Sequence, residues 1–268
     1  MLIKATNRCG MGCTHCSEDS TKLGEHMSSE TFGKTLDATW KMEALVKDMG
    51  LPVFVLFSGG ECTEHPDIVK MVEEAMRQGF FVTLVSNGMW LNDPELKAAL
   101  LRPEWTRPRF NVQVTSDVRF YPTAPPQVDD DRLTYVPQIT HLISLGRAAR
   151  KKHFDKKGLA DKKAPGSFNF RSLVHATKSI EQSVLQLRMM AYQGKSGWCT
   201  PNIDETGTVR AGESRFCATI GTVDSTTAEM AHAVLTMGSC NTCGLEDVLD
   251  QAHKRAIGLS SLYLGTEV

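Results

Sequence analysis

The sequence contains no long apolar run and no secretory signal pattern. No stretch of about 18 consecutive apolar residues occurs, so a transmembrane helix and membrane partners are not expected. The N-terminus lacks the apolar core of a signal peptide, which predicts a cytoplasmic protein in a reducing compartment. The net charge of −1 argues against a surface that coats nucleic acid generally, although a local basic patch remains open.

Because cytoplasmic thiols stay reduced, the eight cysteines indicate metal binding rather than disulfides. Three of them, Cys9, Cys13 and Cys16, have the spacing C-x3-C-x2-C. Full ligation of a [4Fe–4S] cluster takes four cysteines, one for each iron. Three thiolates therefore leave one iron open to a small molecule. The alternative is a chance or zinc-binding cysteine cluster.

Apolar segments alternate with helical patterns along the chain. This order predicts an α/β fold with a parallel sheet. Polar residues directly after the strands indicate a barrel whose site lies at the carboxyl edge of its strands. The expected strands are residues 2–6, 53–57, 80–85, 110–115, 139–144 and 168–172, and the expected helices begin near residues 29, 66, 94 and 179.

The fourth expected strand, residues 110–115, alternates between apolar and polar side chains. The outer face must pack on helices, so Asn111, Gln113 and Thr115 are expected to point into the barrel. An open barrel would use these groups on a ligand, whereas the alternative is a polar patch satisfied by water. The long loop of residues 118–132 then follows and is expected to cover a substrate.

A second group of cysteines lies towards the C-terminus, around an expected β-hairpin at residues 198–210 and before an expected helix at 245–257. By their chemistry alone, four thiolates suit either a structural zinc or a [4Fe–4S] cluster. The four are Cys199, Cys217, Cys240 and Cys243.

The C-x3-C-x2-C spacing, followed by Gly59-Gly60-Glu61, resembles the radical S-adenosylmethionine (radical SAM) superfamily. The resemblance implies a partial (β/α)6 TIM-like barrel over residues 1–178 and a [4Fe–4S] cluster on the three N-terminal cysteines. It also implies that the open iron binds S-adenosylmethionine, which one electron cleaves to a 5′-deoxyadenosyl radical. The C-terminal cysteines resemble a small "twitch" domain (a shortened SPASM domain), expected at residues 179–268 as a hairpin plus helix with an auxiliary [4Fe–4S] cluster.

The resemblance also assigns roles to residues after the strands. Gly59, Gly60 and Glu61 would contact the methionine ammonium, and Ser86 and Asn87 the ribose or carboxylate. Further candidates are His15, where the family usually has an aromatic residue beside adenine, and, on strand position only, Gln113, Thr115 and Asp117. Cys62 is either a hydrogen-atom donor to a substrate radical or a small buried hydrophobe.

The expected activity is hydrogen abstraction from a small or nucleotide-like substrate, ending in oxidation or rearrangement. A flavodoxin or ferredoxin is the expected electron donor. One alternative is a radical isomerase acting on a modified base in nucleic acid, for example in phage DNA. It is motivated by a basic run at residues 147–163, which otherwise reads as a solvated helix face. An alternative of another class is a non-catalytic metal-binding module.

Overall fold

The computed structural model describes residues 1–48, 50–115, 117, 119–136, 146–150, 201–212 and 214–236. Within these residues the chain forms one sheet with strands in the order β5-β4-β3-β2-β1-β6-β7-β8. The strands are β1 (Leu2–Thr6), β2 (Phe54–Gly59), β3 (Phe81–Ser86), β4 (Phe110–Thr115), β5 (Leu133–Val136), β6 (Asn202–Ile203), β7 (Thr208–Arg210) and β8 (Thr219–Thr222).

Strands β1 to β5 run parallel, and β6 also runs parallel to β1 on its other side. Strands β7 and β8 then turn back antiparallel. The predicted α/β fold with a parallel sheet is therefore confirmed, and it matches a partial TIM-like barrel. The helices are α1 (Ser29–Met42), α2 (Ala44–Asp48), α3 (Ile68–Arg77), α4 (Pro94–Leu100), α5 (Gly146–Arg150) and α6 (Thr227–Thr236). Among the described helices, none has the length and apolar character needed to cross a bilayer.

One face of the sheet carries the main core. Val55, Phe57 and Leu84 are fully buried there, and they belong to the same core as Phe32 and Leu36 of α1. On β4 the alternation matches the prediction, since the apolar set is buried and the polar set is only half-buried. The polar set thus lies on the face opposite this core.

Two elements differ from the sequence expectation. The fifth parallel strand is Leu133–Val136, directly after the expected loop of residues 118–132. The strand expected at 139–144 lies outside the described residues. The helical spacing of residues 32–49 predicts one continuous helix, but the helix divides at Glu43, whose backbone leaves the helical region. The Glu43 carboxylate lies 3.8 Å from the N-terminal ammonium.

A second, smaller core joins the hairpin strands to α1. It includes Met42, Ile203, Val209 and Met230. The predicted hairpin at the C-terminal end is confirmed, with Gly207 in its turn at φ +82. The expected strand at 168–172 and helices at 179–192 and 245–257 lie outside the described residues, and the division at residue 178 stays a prediction.

Candidate functional site

The segment after β1 leaves the sheet and returns to it, carrying the cysteine loop (residues 9–16) at its far end. The Cys9 N–H donates to the Thr21 carbonyl at 2.9 Å, and the Met27 N–H donates to the Ala5 carbonyl at 2.8 Å. These bonds close the base of the excursion. The cysteine loop is thereby held at the carboxyl end of β1, where parallel α/β folds place their sites.

The three cysteines of this loop are free thiols, and each is partly buried. The pKa is raised to about 11 for Cys9 and about 12 for Cys13, chiefly because burial disfavours the thiolate, with a smaller contribution from nearby thiols. All three thiols lie on one short loop. Within the described ranges, no three metal-ligating side chains lie near enough to hold a single ion. By their chemistry, three cysteines on one loop are a donor set for an iron–sulfur cluster, which spreads its ligands over several irons and binds them as thiolates.

Gly59 and Gly60 allow the end of β2 to touch the chain that enters the cysteine loop. A Cβ atom on Gly59 would lie 2.1 Å from the Thr6 carbonyl oxygen, and one on Gly60 would lie 2.2 Å from that of Arg8. Gly59 also has a φ of +125, which side-chain-bearing residues rarely adopt. Hydrogen bonds from the Gly60 and Glu61 N–H groups, 2.7 and 2.8 Å long, join the two segments.

Glu61 is buried, and its carboxylate connects the ends of β2 and β3. Its Oε2 accepts from the Asn87 N–H at 2.7 Å, and its Oε1 accepts from the Thr63 hydroxyl at 2.6 Å and the Thr63 N–H at 3.1 Å. Burial raises the pKa of Glu61, and these hydrogen bonds oppose the rise. The Glu61 side chain therefore joins the loop after β2 to the loop after β3.

We expect Glu61→Gln to destabilise the fold by about 1–3 kcal/mol, because the new amide NH2 must face either Asn87 or Thr63, both of which donate. Chemical denaturation of both proteins measures the difference. The control is Glu95→Gln on the exposed first turn of α4, where we expect a change within about 0.5 kcal/mol. Equal stability of Glu61→Gln and wild type would contradict the bridging role.

The polar residues after β3 are used in their own turn. The Ser86 hydroxyl accepts from the Gly88 N–H at 2.9 Å, and the Asn87 Oδ1 accepts from the Met89 N–H at 2.9 Å. Gly88 has a φ of +75. Both side chains thus shape the loop beside Glu61, and their contact with a cofactor stays a prediction.

A turn after β4 places two aromatic rings on the cysteine loop. The Asp117 carbonyl accepts from the N–H groups of Phe120 and Tyr121, both at 3.0 Å. The rings of Phe120 and Tyr121 lie 4.9 and 5.2 Å from that of His15. The Tyr121 hydroxyl is 2.7 Å from the Thr115 Oγ1, so this hydrogen bond links the rings beside His15 to the end of β4.

The other two residues predicted around β4 occupy different settings. The buried Asp117 carboxylate forms an ion pair with Arg119, at 2.5 Å between Oδ2 and Nη2. Gln113 is half-buried on the same strand face as Thr115. Cys62 has no exposed surface, and its Sγ lies 3.5 Å from the Val85 carbonyl oxygen. This packing suits a small core residue, and a role as hydrogen donor stays a prediction.

Of the four C-terminal cysteines, Cys217 is described, and Cys199, Cys240 and Cys243 lie outside the described residues. The segment before Cys217 contacts the exit of the cysteine loop. The Ser214 hydroxyl donates to the Ser17 carbonyl at 3.1 Å, and the Arg215 N–H donates to the Glu18 carboxylate at 3.1 Å. The hairpin region and the N-terminal thiols are therefore neighbours.

Sequence reasoning missed two groups at this site. Lys4 is buried on β1, with its Nζ 2.6 Å from the Glu18 carboxylate. Arg147 of α5 binds the carbonyl oxygens of Cys13 and Ser20. Neither residue belongs to a local motif, because each meets its partners through long-range folding. A buried charge in an otherwise apolar strand was the available signal for Lys4.

A cavity of about 540 Å³ opens beside the cysteine loop, within the usual size of small-molecule sites. The loops after β1, β2 and β3 all line it, through residues that include Met11, Glu61, Asn87 and Trp90. A ligand in this cavity would touch both the cysteine loop and the Gly-Gly-Glu segment.

Comparison with known proteins shows a similarity to one superfamily. Residues 3–127 match the family model of the radical SAM superfamily. A PqqA peptide cyclase of Gluconobacter oxydans (strain 621H) is 32% identical over 100 residues, which cover 37% of this chain and 26% of the relative. An S-adenosylmethionine-dependent nucleotide dehydratase of Selenomonas ruminantium is 25% identical over 147 residues, covering 54% of this chain and 50% of the relative.

Among solved structures, SuiB of Streptococcus suis bound to S-adenosylmethionine matches with 16% identity and a TM-score of 0.33, covering 43% of this chain and 24% of that chain. The chain spans between a quarter and a half of the length of the two curated relatives described above.

Proposed function

We propose, from the premise that residues 3–127 form a radical SAM superfamily domain, that this protein is an enzyme that cleaves S-adenosylmethionine reductively and abstracts a hydrogen atom from a nucleotide-like or other small substrate. The observation that carries the proposal is the cysteine loop. Its three thiols are free and partly buried, and backbone hydrogen bonds join the chain that enters the loop to the Gly-Gly-Glu segment at the carboxyl end of β2.

In this proposal Cys9, Cys13 and Cys16 hold a [4Fe–4S] cluster. When bound, the cluster supplies an open iron for S-adenosylmethionine and the electron for its cleavage to a 5′-deoxyadenosyl radical. The protein's own residues position the cofactor and exclude water. The residues proposed to contact S-adenosylmethionine are His15, Gly59, Gly60, Glu61, Ser86, Asn87, Gln113, Thr115 and Asp117.

The contacts of the site support a division of tasks among these residues. Glu61 and Asn87 line the cavity beside the cysteine loop, so they are placed to meet the polar end of the cofactor. His15, Phe120 and Tyr121 form a cluster of aromatic rings on the cysteine loop, which supports a contact with a flat ring of the cofactor. The buried hydroxyl of Tyr121 stays protonated because burial raises its pKa, and it can donate a hydrogen bond to a ligand or to Thr115.

A second [4Fe–4S] cluster on Cys199, Cys217, Cys240 and Cys243 belongs to the same proposal. The contact of Ser214 with Ser17 supports it, because this contact brings the segment of Cys217 to the exit of the cysteine loop. A cluster with four cysteine ligands has no open iron, which suits electron transfer or shaping of the pocket. A flavodoxin-like or ferredoxin-like carrier is the proposed source of electrons.

The nucleotide class is favoured over a peptide by one comparison. The nucleotide dehydratase matches 54% of this chain, whereas the peptide cyclase matches 37%. The peptide cyclase is the more identical of the two, at 32% against 25%, but over a shorter stretch of this chain. We therefore place nucleotides and nucleosides first among the substrates, and modified bases in nucleic acid second.

The substrate is tested with deuterated candidates and the reconstituted enzyme. We expect deuterium from a nucleotide to appear in 5′-deoxyadenosine, and no transfer from unmodified peptides. Transfer from a peptide alone would overturn the nucleotide assignment while leaving the radical chemistry intact. Transfer from a deuterated base within DNA or RNA, but not from the free nucleotide, would establish the second class instead.

The basic run gives a further test of the nucleic-acid alternative. Its first members are engaged with protein groups, since Arg147 binds carbonyl oxygens and Arg150 pairs with Asp19. If nucleic acid is the substrate, replacing Lys151, Lys152, Lys156 and Lys157 by glutamine should weaken binding, and the loss should shrink as salt rises. Binding that depends neither on the four substitutions nor on the salt concentration would contradict the nucleic-acid alternative.

A further inference from the structure

Arg147 brings a positive charge to the main chain of the cysteine loop. Its Nη1 donates to the Cys13 carbonyl at 2.7 Å, and its Nη2 donates to the Ser20 carbonyl at 2.7 Å. The side chain is only 17% exposed. One guanidinium thus bridges a residue inside the loop and a residue beyond it.

Backbone hydrogen bonds from the start of α5 also hold the cysteine loop. The N–H groups of Arg147 and Ala148 both donate to the Cys16 carbonyl, at 2.9 and 3.2 Å. A Cβ atom on Gly146, whose φ is +53, would lie 2.9 Å from the same oxygen. The start of α5 and the loop therefore approach too closely for any residue but glycine at this point.

The charge of Arg147 is permanent, since a guanidinium does not lose its proton in proteins. Its counter-ion is Asp19, at 3.7 Å between Nε and Oδ1, and Asp19 also pairs with Arg150 at 2.5 Å. The guanidinium donates to the carbonyl oxygen of Cys13 itself, so its charge lies within one residue of a proposed cluster ligand.

We propose that Arg147 is a positioning residue that raises the reduction potential of the iron–sulfur cluster held by the cysteine loop. The inference rests on the proposed function. Reduction adds one electron, delivered by a low-potential carrier or by dithionite, and so adds one negative charge to the cluster. A nearby cation stabilises that state, because net charge and hydrogen bonding around the ligands set the potential of such clusters.

The test compares Arg147→Gln and Arg147→Lys with wild type after anaerobic reconstitution. Iron and sulfide are counted, and the cluster is titrated redox-potentiometrically under electron paramagnetic resonance without S-adenosylmethionine. In Arg147→Gln we expect the ratio of reduced to oxidised cluster at a fixed potential to fall about tenfold, which is about 59 mV for one electron. Arg147→Lys retains the charge and should stay within about threefold of wild type.

Arg77→Gln is the matched control. It removes the same charge from a side chain on α3 that is 72% exposed and pairs with Glu74, and it should leave the midpoint near wild type. A wild-type midpoint in Arg147→Gln would overturn the inference, as would equal falls in Arg147→Gln and Arg147→Lys. The latter result would assign the effect to the hydrogen bonds alone.

Asp19→Asn keeps the test decisive if Arg147→Gln retains too little cluster. Asp19 has a φ of +55, which asparagine tolerates well. Removing its negative charge should shift the ratio several-fold towards the reduced cluster, and an unchanged or lower midpoint would overturn the inference. Failure of the wild-type protein to hold any cluster would instead contradict the proposed function.

Discussion

We expect Cys16→Ala to abolish cleavage of S-adenosylmethionine, with a fall of at least about a thousandfold in 5′-deoxyadenosine release. In the proposed site the cluster has three protein ligands, so the loss of one leaves it with two. The Cys16 carbonyl also anchors the start of α5, but that bond is made by the backbone and survives the substitution. The defect should therefore lie in iron content and turnover, and the unfolding midpoint should stay close to that of wild type.

Cys217→Ala is the matched comparison, since it removes a thiol from the other cysteine group. We expect this variant to retain measurable cleavage while forming little product, because the proposed auxiliary cluster would act after or beside the cleavage step. Iron counts and 5′-deoxyadenosine assays on both variants measure the difference. Equal loss of cleavage in the two variants, with the fold intact, would contradict this division of labour.

Gly60→Ala and Gly59→Ala should each destabilise the fold by about 3 kcal/mol or more. Each new Cβ would lie within 2.2 Å of a backbone carbonyl oxygen on the segment that enters the cysteine loop, and backbone atoms cannot move aside as side chains do. For Gly59 the positive φ adds strain. Denaturant unfolding of the metal-free proteins measures the loss without interference from the cluster.

Gly33→Ala provides the control for these glycines. Gly33 lies on α1, and a Cβ there would have no atom within 4 Å. A glycine-to-alanine change inside an open helix position should stabilise the protein by about 0.5–1 kcal/mol. If Gly60→Ala behaved like Gly33→Ala, the close approach of β2 to the cysteine loop would be wrong.

The first four strands could be predicted because their signal is local. Residues 110–115 alternate in polarity, and the strand bounds agree with the structure. β5 was missed because it has only four residues and directly precedes Pro137, in a proline-rich segment that indicates a loop. The break at Glu43 was not predicted either, because the apolar residues before and after it keep a helical spacing.

The candidate site divides in the same way. The N-terminal cluster ligands could be predicted because Cys9, Cys13 and Cys16 lie close together in the sequence. Arg147 gave no such signal, because it lies 134 positions from Cys13 and reads as part of an ordinary basic run. Ser86 was assigned to a ligand by the family resemblance, and that contact stays a prediction. The bond that its hydroxyl accepts from the Gly88 N–H became visible only in the structure.

The proposed function depends on a cluster that is held by the cysteine loop and cleaves S-adenosylmethionine. Anaerobic reconstitution of the wild-type protein, followed by iron analysis and a 5′-deoxyadenosine assay with dithionite, tests it most directly. We expect about eight irons per chain, or about four if the second site holds zinc, and release of 5′-deoxyadenosine that depends on S-adenosylmethionine. A folded protein that binds iron at the cysteine loop but releases no 5′-deoxyadenosine would contradict the account.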